Sequence, residues 1–160
     1  MINRGVEQHG SSQGSMDTKL KADIAESAVT TELLKRGFRV LHPVGDRLAY
    51  DLAIDLQGKL IRIQVKSAWF DKRANCYTVD ARRTKTNRRR MLRKRYDSFD
   101  FDFAIVYLAD LNVFYVMPIS VFSSYESSIT FIETEKRQRK PKSAEYRQRW
   151  DLLSAGLLSR

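Results

Sequence analysis

The sequence predicts an α/β (α+β) fold, a central mixed β-sheet flanked by helices, and three observations carry that expectation. A capped amphipathic stretch comes first, an alternating stretch with a two-residue turn signal follows, and two apolar runs of strand length come later.

Taken in order, Asp17 or Thr18 is a candidate N-cap for a helix that runs to Arg36. Gly37 stops it, because glycine accepts the left-handed conformation in which helices often end. Residues 38–41 read as a short strand and His42-Pro43-Val44-Gly45 as a turn. Residues 50–67 alternate about Gln57-Gly58, which is the pattern of a β-hairpin. A short strand is expected over 77–80, then a long basic connection over 82–95. An apolar strand over 101–108 turns at 109–112 and returns over 113–117, where Pro118 ends it. A closing helix is expected over 144–153. Residues 1–15, rich in Gly, Ser and Gln, read as a leader or disordered extension, and residues 16–160 as a single domain.

The composition is that of a globular protein, and no apolar run approaches the roughly 20 residues a membrane helix needs. A single cysteine, Cys76, excludes an internal disulfide, and a cytoplasmic location is expected. The formal charge of +10 is concentrated in two segments, nine basic residues within 82–95 and seven within 136–149, so the remainder of the chain is net acidic. Charge gathered in this way predicts a phosphate-backbone footprint rather than general solubility. Its candidate DNA-contacting residues are Arg82, Arg83, Lys85, Arg88, Arg89, Arg90, Arg93, Lys94 and Arg95 in the first run, and Lys136, Arg137, Arg139 and Lys140 in the second.

The hairpin carries the chemistry. If Gln57-Gly58 closes a two-residue turn, Leu56 pairs with Lys59 and Asp51 falls opposite Gln64, with Cβ atoms about 5 Å apart. Side chains alternate across a sheet, so Asp51, Ala53, Asp55, Arg62, Gln64 and Lys66 share one face and Leu52, Ile54, Leu56, Ile61, Ile63 and Val65 the other. One face is expected to be apolar core and the other to hold the site. A carboxylate, an amide oxygen and an ammonium on one face suit a hard divalent cation with a phosphate oxygen nearby. Ala22, Glu26, Val29 and Leu33 form a helical stripe, so Glu26 is placed to face the sheet, either as a second carboxylate or in a salt bridge. Asp97, Asp100 and Asp102 alternate with Phe99, Phe101 and Phe103, which reads as an amphipathic strand rather than a metal site. His9, His42 and Cys76 have no partners at productive spacing, so a zinc or thiolate site is not expected.

Tyr50-Asp51, then Gln64-Val65-Lys66 with Glu26 on the preceding helix, resembles the PD-(D/E)XK nuclease motif over residues 17–67. From Met16 onward the chain more closely resembles the small PD-(D/E)XK homing endonucleases encoded in cyanobacterial group I introns within tRNA genes. The resemblance implies Mg²⁺-dependent DNA hydrolysis, with Glu26 and Asp51 serving the metal, Gln64 in place of the second motif acid, and Lys66 as the motif lysine. Tyr50 replaces the motif proline. Gln64 removes one negative charge beside the metal, which weakens cation binding and puts a two-metal mechanism in doubt.

The expected partner is double-stranded DNA with a long, partly palindromic site, cut by a homodimer or homotetramer because one such site hydrolyses one strand. Phe114, Tyr115, Phe122, Tyr125 and Trp150 are read either as exposed material for subunit contacts or as ordinary core. A Holliday-junction resolvase or restriction enzyme is the neighbouring alternative, separated by branched against linear substrates. A non-catalytic nucleic-acid binder is the alternative from another class, and it predicts binding without metal-dependent cleavage.

Overall fold

The protein is described by a computed structural model over residues 17–87, 90–135 and 139–155. The proposed leader lies outside these residues.

Helix α1 spans Thr18–Lys35, with the Asp17 carboxylate accepting from the Lys19 amide at its start and Gly37, at φ +81°, just past its end. Its core-facing stripe is Ala25, Val29 and Leu33, all fully buried. The expected stripe began at Ala22, which is exposed; Glu26 therefore lies beside the buried row rather than on it.

Strands β1 (Arg39–Leu41), β2 (Leu52–Leu56) and β3 (Lys59–Ser67) follow. β2 and β3 form the expected hairpin, with Leu56 paired to Lys59 and Leu52 to Ile63. Gln57 at φ +52° and Gly58 at φ +89° make both central residues left-handed, as a tight hairpin turn with the right twist requires. The Asp55 carboxylate holds the turn by accepting from the Gly58 amide at 2.8 Å.

β3 runs parallel to β8 (Phe103–Leu108), which pairs antiparallel with β9 (Val113–Pro118), giving a five-stranded mixed sheet in the order β1-β2-β3-β8-β9. Between β3 and β8 the chain forms β4 (Trp69–Asp71), β5 (Cys76–Asp80), β6 (Arg82–Asn87) and β7 (Arg90–Arg95). β5 pairs with β4 and with β10 (Ser128–Phe131) in a small second sheet, while β6 and β7 pair with each other. A one-turn helix α2 (Ile119–Phe122) follows β9.

Two cores result, one on each face of the central sheet. Under α1 the first gathers Leu52, Ile54, Ile61, Ile63, Val65, Ile105 and Val116 with Trp150 and Leu153 from the C-terminal segment. On the other face the second joins Ala104, Val106, Tyr115 and Met117 to Val79, Tyr96, Phe101, Phe122, Ile129 and Phe131. This explains why β8 and β9 read as continuous apolar runs: they are covered on both sides. The face expected to hold the site also carries the second core, and Ala53 is buried on it.

Several other expectations change. The basic stretch over 82–95 is a β-hairpin, not a long connection. Residues 97–100 form a turn in which the Phe99 amide donates to the Asp97 carboxylate and the Asp97 amide to that of Asp100, so the acidic alternation is not a strand. Asp102 accepts from the Arg62 backbone at 2.7 Å and from two nitrogens of its guanidinium, fastening that turn to β3. The expected closing helix is a 3₁₀ turn (Lys142–Tyr146) and a short α3 (Asp151–Ala155). Gln148, at φ +55°, interrupts it, and its amide donates to the Phe114 carbonyl, so bonding to the edge of β9 outcompetes helix propagation. Phe114, Tyr115, Phe122 and Trp150 are buried and Tyr125 is partly buried, so these aromatics are core and not exposed contact surface. Among the described residues no helix is long and apolar enough to cross a membrane.

Candidate active site

The hairpin register puts Asp51 at the mouth of β2, where its amide donates to the Ile63 carbonyl of β3 at 3.0 Å. Its carboxylate Oδ2 accepts from the Val65 amide at 2.7 Å and from Gln64 Nε2 at 2.6 Å, which fixes its orientation. Among the described residues neither Asp51 Oδ1 nor Gln64 Oε1 has a donor of its own, and both residues line a cavity of about 730 Å³. Glu26 from α1 and Lys66 from β3 line the same cavity. The four residues singled out by sequence are thus brought together.

The electrostatics follow from this crowding. Burial pushes the Asp51 carboxyl up, against the Val65 amide, Lys66, Gln64 and Arg83, which favour its charged form. Glu26 is raised by burial, then by the neighbouring charges of Asp51 and Asp23. Burial pushes Lys66 down, opposed by Asp51 and Asp80 and reinforced by Arg83. Two acids whose ionisation burial disfavours, one of them also raised by the other's charge, are a donor set that a divalent cation stabilises. Among the described residues no three His, Cys, Asp or Glu side chains cluster tightly enough to hold a metal ion by themselves.

Sequence reasoning missed three features of this cavity. Asp80, the last residue of β5, faces it and pairs with Arg82 at 3.2 Å. Its carboxyl is raised by burial but lowered further, on balance, by the Arg82 amide and guanidinium. Tyr96 lies under Lys66, whose Nζ is 5.0 Å from the ring centroid. Trp69 stands half-exposed at the rim. The only sequence signal for any of these was the abutment of Asp80 on the first basic run.

That run forms the wall beside the cavity. Arg82 and Arg83 line it, Arg93 and Lys94 are exposed on β7, and Arg95 donates to the Ser123 carbonyl at 2.9 Å. Arg88, Arg89, Lys136 and Arg137 lie outside the described residues, and Lys85 and Arg90 are placed only as strand positions of the hairpin. Arg139 and Lys140 are exposed. Further along the second run, Arg147 forks onto Glu133 and Arg149 onto Asp151, so these two serve local structure.

A mixed sheet with a carboxylate at the entry to one strand and a lysine on the adjacent strand, beside a helical glutamate, is the arrangement of a nuclease core. Residues 16–153 match the family model of the PD-(D/E)XK endonucleases, and the chain belongs to that family. The solved structure of a bacterial homing endonuclease, I-Ssp6803I, is similar to it: 50% identical, with a TM-score of 0.84 over 89% of this chain and 97% of that one. None of the curated proteins compared with the chain matches it.

Proposed function

We propose that this single-domain chain is a sequence-specific homing endonuclease that hydrolyses double-stranded DNA with Mg²⁺ at an intronless tRNA gene, in the cytoplasm. The observation that carries this reading is the convergence of Glu26, Asp51, Gln64 and Lys66 on one cavity at the root of a basic hairpin. The 50% identity to a homing endonuclease supports the biological role.

Asp51 and Glu26 would hold the cation, with the Gln64 amide oxygen as a neutral third ligand. When bound, Mg²⁺ supplies Lewis acidity at the scissile phosphate and a more acidic water. The protein's own groups do the rest. The Val65 amide and Gln64 Nε2 keep the Asp51 carboxylate from turning. Lys66 places Nζ in the cavity, where it orients or deprotonates the attacking water and offsets charge gathering on the phosphate. Arg82, Arg83, Arg93 and Lys94 bring backbone phosphates to the cavity. Cleavage leaves a 5′ phosphate.

Supercoiled DNA carrying the intronless gene tests this. Linearisation at one site, only with a divalent cation, is the expected result. Binding without metal-dependent cleavage would make the chain a non-catalytic binder, and preference for branched DNA would make it a resolvase.

Gln64→Glu is expected to bind divalent cations on the order of tenfold more tightly, since ligand charge sets affinity at such sites. The cation-free protein should melt lower, because a carboxylate cannot donate to Asp51 as the Gln64 amide does at 2.6 Å. Calorimetric titration and thermal melts read both, and unchanged affinity would remove Gln64 from the metal site. Replacing Arg93 and Lys94 by Ala should lower the slope of log K against log salt by about 0.9 for each phosphate that is no longer neutralised. An unaltered slope would reduce this face to solvated charge.

The active species is a homodimer or homotetramer on a partly palindromic site, because two strands need two copies of the cavity. Sedimentation of the protein–DNA complex checks this; a monomer that cuts both strands would contradict it.

A further inference from the structure

Lys66 lies between the two feet of the basic hairpin. On one side its Nζ points to the carbonyl of Arg82, the first residue of β6, at 3.5 Å. On the other it stands 5.0 Å from the ring centroid of Tyr96, the residue that follows the end of β7. Arg82 and Arg95 are register partners, so these contacts come from both strands at the level where the hairpin leaves the body of the protein.

Tyr96 is not free to move away from the lysine. It is 6% exposed, with the Phe101 ring edge-on to it at 4.9 Å and the Phe122 ring at 6.1 Å, and both phenylalanines are fully buried. A lysine with four rotatable bonds, taken largely out of water, has beside the ring one long contact to a carbonyl and the charges of Asp51 and Asp80 to locate its ammonium. An aromatic face within about 6 Å attracts an ammonium, and more strongly where water is excluded.

We propose that Tyr96 is a positioning residue for Lys66: its ring, held by the core, fixes the ammonium in the cavity. The inference rests on the reading of Lys66 as the active-site lysine.

The test separates the ring's electrostatics from its bulk. Phenylalanine and phenylalanines of increasing ring fluorination are placed at position 96, which preserves shape while draining the negative face. Single-turnover cleavage at saturating DNA, DNA affinity and melting temperature are measured for each. Tyr96→Phe should cut within about twofold of the unaltered protein, since the face is retained. The rate should then fall stepwise with fluorination, on the order of tenfold in total, with affinity and melting temperature unchanged. A rate that is flat or rises across the series overturns the proposal and leaves Tyr96 as core, while the proposed function stands. Loss of cutting in Tyr96→Phe itself also overturns it, since the hydroxyl would then be the working group. If the unaltered protein binds DNA but never cuts it, the proposed function falls, and this inference with it.

Discussion

An Asp51→Asn protein should fold, bind duplex DNA with its normal affinity, and cut it on the order of a thousandfold more slowly. The substitution retains an oxygen that can accept from the Val65 amide and Gln64 Nε2, so the local structure survives. What it removes is the charge that a divalent cation needs. Lys66→Ala should lose a similar amount, because it takes away the one ammonium among the four converging groups. Rates are compared at saturating DNA and saturating Mg²⁺, with binding followed separately. Either variant cutting at more than about a tenth of the normal rate would break the assignment, since loss of a metal ligand or charge stabiliser costs several kcal/mol of barrier.

Phe101→Ala should destabilise the fold by about 3–5 kcal/mol, the usual cost of removing a buried aromatic side chain. Phe101 is fully buried, packs edge-on against Tyr96 and Phe122, and sits at the start of the segment that crosses into β8. Thermal or denaturant unfolding reads the effect, expected to lower the melting temperature by about 10 °C or more. A loss under about 1 kcal/mol would mean that the second core closes around the gap, against the close packing of these rings.

The parts of this protein that were legible in sequence are those set by local chemistry. Asp17 and Gly37 bracket α1, Gln57-Gly58 fixes the β2–β3 register, and that register alone brings Asp51 to Gln64. The convergence of Glu26, Asp51, Gln64 and Lys66 was legible because they lie on one hairpin and one helix. What was not legible depends on partners distant in the chain. Residues 82–95 carry no apolar alternation, so their pairing as a hairpin is invisible to hydrophobic period. Asp102 belongs to no strand because Arg62, forty residues earlier, claims it. The helix expected over 144–153 yields to a β-bridge with β9, in which Arg147 lies opposite Tyr115 and the Gln148 backbone amide donates to the Phe114 carbonyl. Tyr96 looked like any aromatic beside a charge run, since nothing in spacing links it to Lys66 thirty residues before.

The most direct test of the central claim is whether Glu26 and Asp51 hold a divalent cation beside bound DNA. Mn²⁺ can stand in for Mg²⁺, and its free and bound forms are distinguished by electron paramagnetic resonance. The unaltered protein on duplex DNA should take up Mn²⁺ saturably, with Asp51→Asn and Glu26→Gln each weakening that uptake on the order of tenfold or more while DNA stays bound. Equal uptake by all three proteins would contradict the account.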